Sequence, residues 1–300
     1  MSDEAPESVE GQDTRGPRNR VGRPGFLTSS VRVFDFTLGE MLWSRRTIFM
    51  ALVAGGPVAI ALLIRAFTSF AWLDFAGRVD GSALEVTGPA IFGLMVWAFY
   101  LRFTVPVLGV FYGTALIADE VEDKTITYLF TRPVSRGAVL FGKYLAYLVC
   151  TNLVVLPSVV LVYFIVVPMS GNIGASFPSL VVDLGLLGLG IAVYGSIFAL
   201  VGAWFKHPLL TGLVFVFGWE PIGTVVPGYM KNLTVAYYLQ GLVPHAMPQD
   251  GSMGMVRTVL QAFQAAPSIP FNLFWLGVIL VLTLLGATRA VANKEYVLEQ

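Results

Sequence analysis

The sequence predicts an all-α integral membrane protein with six transmembrane helices and both termini on the cytoplasmic side. Three observations carry this expectation. Of 300 residues, 56 % are hydrophobic and only 13 % are Asp, Glu, Lys or Arg, against about a quarter charged in a soluble domain. So few charges cannot coat a surface facing water. Six stretches are long and apolar enough to cross about 30 Å of hydrocarbon. The positive charges between those stretches fall mostly on one side. The composition therefore excludes an ordinary cytosolic enzyme. The 19 basic and 19 acidic residues cancel, so no global field draws nucleic acid to the chain. The single cysteine, Cys150, excludes an internal disulfide framework and a multi-cysteine metal site.

Residues 1–29 are polar and rich in Gly, Pro and Arg. They are acidic first (Asp3, Glu4, Glu7, Glu10) and then basic (Arg15, Arg18, Arg20, Arg23). Such a segment cannot bury enough apolar surface to order itself, and it is expected as a disordered cytoplasmic tail. It lacks the apolar core of roughly 7–15 residues that marks a cleaved signal peptide. Segment 30–46 places Phe34, Leu38, Met41 and Leu42 at helical spacing, with Arg32, Asp35 and Glu40 between them. That predicts an amphipathic helix at the membrane surface rather than an extension of the first span.

The six spans run over 47–67, 90–117, 138–168, 179–205, 209–227 and 271–289. The second and third exceed what a bilayer needs, so they tilt or project beyond it. Only Lys206, His207 and Pro208 separate the fourth from the fifth, which forces a tight hairpin. Residues 30–292 thus form one six-span membrane domain, followed by a short cytoplasmic tail over 293–300. The outer loop 68–88 carries Asp74, Asp80 and Glu85. The last outer segment, 228–270, carries Tyr237, Tyr238 and the amphipathic stretch MVRTVLQAFQ over 255–264, read as a short surface or re-entrant helix. Asn232-Leu233-Thr234 matches the glycosylation sequon, a three-residue match of low specificity.

Orientation follows from the cations. With the N-terminus inside, Arg15, Arg18, Arg20, Arg23, Arg32, Arg45, Arg46, Lys124, Arg132, Arg136, Lys143, Lys206, Arg289 and Lys294 are cytoplasmic. Only Arg65, Arg78, Lys231 and Arg257 are outside, and Arg102 lies within a span. The bias places both termini in the cytoplasm.

The connection between spans two and three reads GTALIADEVEDKTITYLFTRPVSRGAVLFGKYLAYL, residues 113–148. Ile117 to Phe130 can form a helix leaving the membrane, with Asp119, Glu120, Glu122 and Asp123 crowding its first turns, where a helix favours negative charge. Ile126, Leu129 and Phe130 supply an apolar edge. Pro133 disfavours helical backbone at Arg132 and ends the helix. Ser135 can cap the next helix, which runs through Gly142 and Lys143 into the third span. The product is a helix–turn–helix bracket with an acidic face, an apolar edge and two arginines at the bend.

This bracket resembles the cytoplasmic signature of ABC-2-type permeases, the membrane subunits of type-2 ABC exporters. Glu120, Glu122, Thr125, Leu129, Arg132, Pro133, Ser135, Arg136, Gly142 and Lys143 occur in the family's order. The stretch LGEMLWSRRTIF over 38–49 is similar to the start of the first span in that family. Lys124 stands where the family often has Gly before the Thr, a departure that bears on local turn geometry alone. The resemblance covers most of the chain in architecture, and its specific residues lie within about 35 positions of the bracket. It implies a permease that forms the pathway, with energy supplied by a separate ATP-binding subunit.

In that arrangement the working unit has two permeases, as a homodimer or pseudo-dimer, and two ATPases in the cell membrane. Asp119, Glu120, Glu122, Thr125, Leu129, Arg132, Pro133, Ser135 and Arg136 would form the coupling helix and its bend. ATP and magnesium would sit on the partner subunit. This chain has no G-x-x-x-x-G-K-[ST] motif, so it is not expected to hydrolyse ATP or to hold a cofactor, metal or catalytic residue of its own. The alternative is a membrane anchor or assembly platform that docks a soluble partner without transport.

Three ionisable residues fall inside spans. Arg102 is central in the second, Glu220 lies in the fifth and Asp183 near the outer start of the fourth. A charge at mid-membrane costs about 2.5–3.5 kcal/mol on insertion scales, so each needs a partner or a wet cavity. Arg102 and Glu220 either line a pathway or pair with one another. Gly188, Ala192 and Ser196 are spaced for close helix contact. Pro106, Pro157 and Pro221 can kink their spans. His207, at the hairpin, and His245, in the outer segment, lack partners in sequence for catalysis. Cys150 is expected buried and inert.

Overall fold

The computed structural model describes residues 25–69, 77–79, 82–84, 88–122, 136–169, 172–225, 229–243 and 268–293. Helix α1 spans Phe26–Leu42 and α2 spans Arg45–Ser69. The break at Trp43-Ser44 is closed by hydroxyls: Ser44 Oγ donates to the Met41 carbonyl at 3.3 Å, and Thr47 Oγ1 donates to the same oxygen. The N-terminal amphipathic segment is therefore a separate helix. It packs along α4 (Arg136–Val166). Leu38 and Met41 reach the core, as their spacing predicts. The most deeply buried residues of α1 are nonetheless the small hydroxyl residues Ser29, Ser30 and Thr37, while Phe36 is 75 % exposed. Gly142 explains this choice. A Cβ at that position would lie 2.5 Å from the Ser30 carbonyl oxygen and 3.0 Å from Val33 Cβ. Only a glycine lets the two helices cross at this separation.

The second span is the helical run 88–122, α3, and the fourth is α5 (Ile173–Trp204). Helix α5 starts before the predicted 179, because Asn172 caps it, its side chain accepting from Gly174 N at 3.0 Å. After Lys206-His207, Pro208 occupies the first turn of the next helix. That helix, α6 (208–225), is the predicted fifth span. Its apolar part, Pro208–Gly223, is 16 residues, or about 24 Å at 1.5 Å per residue. Among the described residues, five helices are long and apolar enough to cross a membrane: Arg46–Ser69, Gly88–Ala118, Gly137–Met169, Ile173–Trp204 and Ile269–Ala292. A further short helix, α7 (Val235–Gln240), precedes α8 (Ile269–Asn293).

The described chain is not wholly helical. β1 (Gly77–Val79) and β2 (Ser82–Leu84) pair antiparallel, Arg78 opposite Ala83. The rest of the described chain is helical, as expected of an all-α membrane protein, and these two three-residue strands are the departure from it among the described residues.

Three stretches adopt the wider π-helical winding: Val96–Thr104 and Gly109–Gly113 in α3, and Phe215–Trp219 in α6. Pro106 lies between the first two and Pro221 just after the third. Proline lacks the N–H that would bond one turn back, and the wider winding occurs where the regular ladder is interrupted. Helix α5 is the central element, with Leu187, Ile191, Tyr194 and Phe198 fully buried. The face bearing Gly188, Ala192 and Ser196 packs within this chain: Tyr144 donates to the Ala192 carbonyl at 2.7 Å and Thr283 Oγ1 to Ser196 Oγ at 2.8 Å.

The helix ends define two faces. Arg46, Ala118, Lys206 and His207 line one cavity, and Gly137 lies against Phe26 and Thr288. These share the face that carries α1. At the opposite face Arg65 donates to the Ile165 carbonyl at 2.7 Å, and Gly88 packs on the backbone of Val166 and Val167.

Candidate functional site

The sequence singles out two regions, the bracket between α3 and α4 and the ionisable residues inside spans. At the bracket, α3 remains helical through Glu122, four residues past the apolar window that ends at Ala118. Asp119, Glu120 and Glu122 sit on that last turn and Arg136 opens α4. The side chains of these four, and Thr125, Leu129, Arg132, Pro133 and Ser135 entirely, lie outside the described residues. The two ends of the bracket are joined at its base. Lys143 Nζ donates to the Leu116 carbonyl at 3.3 Å, linking the foot of α4 to the foot of α3. One residue earlier, Gly142 seats α1 against α4. The Gly-Lys pair thus holds three helices together next to the bracket.

Glu220 lies on α6 and is 4 % exposed. Its Oε1 accepts from Val235 N and its Oε2 from Ala236 N, both at 3.1 Å. These are first-turn amides of α7, which no carbonyl within the helix can reach. A carboxylate there also complements the positive end of the helix. The Tyr194 hydroxyl of α5 is a third hydrogen-bond partner of the carboxylate, and the charge of Arg102 acts on both Tyr194 and Glu220. The Arg102 guanidinium carbon stands 5.6 Å from the centre of the Trp97 ring, within cation–π range. Arg102 and Glu220 therefore do belong to one cluster, and the main hydrogen-bond donors to the carboxylate are backbone amides. Asp183 is 1 % exposed on α5, eleven residues from Tyr194 and so about 16 Å away along the helix.

The consequence of this cap is the burial of α7. Val235, Ala236, Tyr237, Tyr238, Leu239 and Gln240 are all buried. Leu239 reaches Gly190, midway along α5, beside Val105 and Leu101 of α3. Around it, Thr234 Oγ1 donates to the Lys231 carbonyl at 2.7 Å, Tyr238 to the Asn232 carbonyl at 2.8 Å, and Trp219 Nε1 to the Leu233 carbonyl at 3.4 Å. Lys231 lies 5.2 Å from the Tyr237 ring centre. All six residues of this short helix are buried by the protein around it. The re-entrant reading given to 255–264 falls outside the described residues; the segment seen buried is 235–243. Sequence reasoning missed Tyr194 and the two amides. Thr234 before the apolar run Val-Ala-Tyr-Tyr-Leu was the available signal.

Among the described residues no three His, Cys, Asp or Glu side chains gather as a metal site. The sequence model of the family described as ABC-2 family transporter protein matches residues 10–292. Comparison with curated proteins gave no match.

Proposed function

The chain belongs to the ABC-2 family of transporter proteins, and from that premise we propose that it is the permease subunit of an ATP-driven exporter. It would cross the membrane six times, with α6 as the shortened fifth span and both termini cytoplasmic. Two such chains would work with two ATP-binding subunits that carry ATP and magnesium. The bracket over 119–136 would seat in a groove of the ATPase. The observation that carries this reading, beyond family membership, is the tie at the bracket's base. A displacement of the bracket would reach α3 and α4, which continue from its two ends and are tied by Lys143 and Leu116, and α1 through Gly142. A loop that only connected two spans would have no use for such bracing.

The test is purification of the tagged chain from its native membrane in mild detergent. The expected result is a stoichiometric ATP-binding partner whose turnover responds to this subunit. Glu122→Lys should abolish that response at normal expression. A stable preparation with no ATPase, or an unchanged response in the variant, would overturn the coupling role and favour an anchor.

A further inference from the structure

Helix α2 is fastened near both ends, and to different helices. At the end nearer α1, the Tyr112 hydroxyl of α3 donates to the Arg46 carbonyl. The backbone of Met50, one turn on, is a second hydrogen-bond partner of that hydroxyl, and the Phe49 and Phe111 rings meet at 4.7 Å. Towards the far end, Arg65 donates to the Ile165 carbonyl of α4 at 2.7 Å. The helix breaks at Trp43-Ser44, so α1 is not a rigid continuation of α2. Between the two fastenings lies Gly55-Gly56-Pro57. Pro57 has no N–H for the Val53 carbonyl one turn back, and its ring crowds that oxygen. A Cβ on Gly55 or Gly56 would meet nothing within 4 Å. Unlike Gly142, neither is small because a neighbour presses on it. What these glycines supply is backbone freedom, at the place in the helix where a hydrogen bond is already missing.

We infer that α2 is a jointed strap. Its half over 45–54 travels with α3, its half over 58–69 stays with α4, and Gly55-Gly56-Pro57 absorbs the difference. A hinge needs only a few residues that take up a change in φ and ψ. The fastenings decide which neighbour each arm follows: the phenol of Tyr112 holds one arm, and the guanidinium of Arg65 holds the other. The joint is a property of this chain alone. What would drive it rests on the permease reading: the bracket would pull the near arm through α3 and Tyr112.

The test uses the full-length chain in lipid nanodiscs without an ATP-binding subunit, so its failure would leave the permease reading standing. Nitroxide pairs go on exposed residues. Leu52→Cys with Leu285→Cys reports the near arm against α8, and Leu63→Cys with Leu273→Cys reports the far arm. Cys150 is fully buried and stays unlabelled. Pulsed electron paramagnetic resonance should give a distance distribution at least about twice as broad for the near pair as for the far pair. Adding Gly55→Ala/Gly56→Ala should narrow the near pair to the width of the far one. The unfolding temperature should hold or rise, because alanine favours a helix over glycine and both methyl groups have room. A purely structural role for the two glycines predicts no narrowing. Tyr112→Phe, which keeps the ring and removes the hydroxyl, should broaden the near pair further and leave the far pair alone. Should that variant fail to fold, the alanine pair decides. Equal widths in the parent chain, a near pair unchanged by the two alanines, or a near pair unmoved in folded Tyr112→Phe would each overturn the proposal.

Discussion

Glu220 closes the N-terminus of the helix that begins at Val235: its two carboxylate oxygens accept from Val235 N and Ala236 N at 3.1 Å each. The pair joins the C-terminal part of α6 to a helix lodged between α3, α5 and α8. Every buried donor left without an acceptor costs about 1–3 kcal/mol, and more when the lost partner was charged.

Glu220→Ala should therefore destabilise the protein by about 2–4 kcal/mol through two stranded amides. Glu220→Gln, which keeps one acceptor oxygen, should fall between wild type and Ala. Thermal unfolding in detergent measures both. A loss under about 0.5 kcal/mol in Glu220→Ala would show that α7 does not depend on the cap.

Arg102→Gln should be milder than Glu220→Ala. The carboxylate keeps its two amides and Tyr194 when Arg102 is removed. A double-mutant cycle between Arg102 and Glu220 should return a coupling of about 1 kcal/mol or less. A coupling of several kcal/mol would make the ion pair, rather than the helix cap, the organising interaction.

Gly142→Leu should push α1 off α4, because the first added carbon already meets the Ser30 carbonyl at 2.5 Å. Overpacking of this kind costs about 1–3 kcal/mol. Limited proteolysis near Trp43-Ser44 should become faster while α2 to α8 stay folded. Unchanged cleavage would mean that α1 holds its place by other contacts.

Cys150 is fully buried in α4 and is the only cysteine. It should resist a water-soluble maleimide in the folded protein and react once denatured. Rapid labelling of native protein would contradict the packing of α4 against its neighbours. The same reaction gives a site-specific reading of unfolding for the variants above.

Much of this fold could be read from the sequence because the bilayer imposes long apolar runs, and 138–168 or the turn Lys206-His207-Pro208 can hardly be anything else. The helical spacing of Leu38 and Met41 likewise placed α1. The face by which α1 binds α4 was less legible. Ser29, Ser30 and Thr37 carry no hydrophobic signal, and their burial is decided by the absent side chain of Gly142, more than a hundred residues away. The Glu220 cluster was half legible. Its charge announced a need for a partner, and Arg102 was the charge available to pair with it. The hydrogen bonds that hold it come from backbone amides, which every residue has and no residue type reveals.

The cap also dictates an order of events during synthesis. Glu220 leaves the ribosome fifteen residues before its first amide partner, about one to three seconds at ordinary elongation rates. Through that interval the acid of this short helix faces only Tyr194 and Arg102, which precede it in the chain. The three-residue turn after Trp204 gives it α5 as a companion. The junction of α6 with α7 is completed only when Val235 and Ala236 arrive. A chain truncated between residues 220 and 235 would keep the carboxylate beside Tyr194 and Arg102 but without the two amides that it caps.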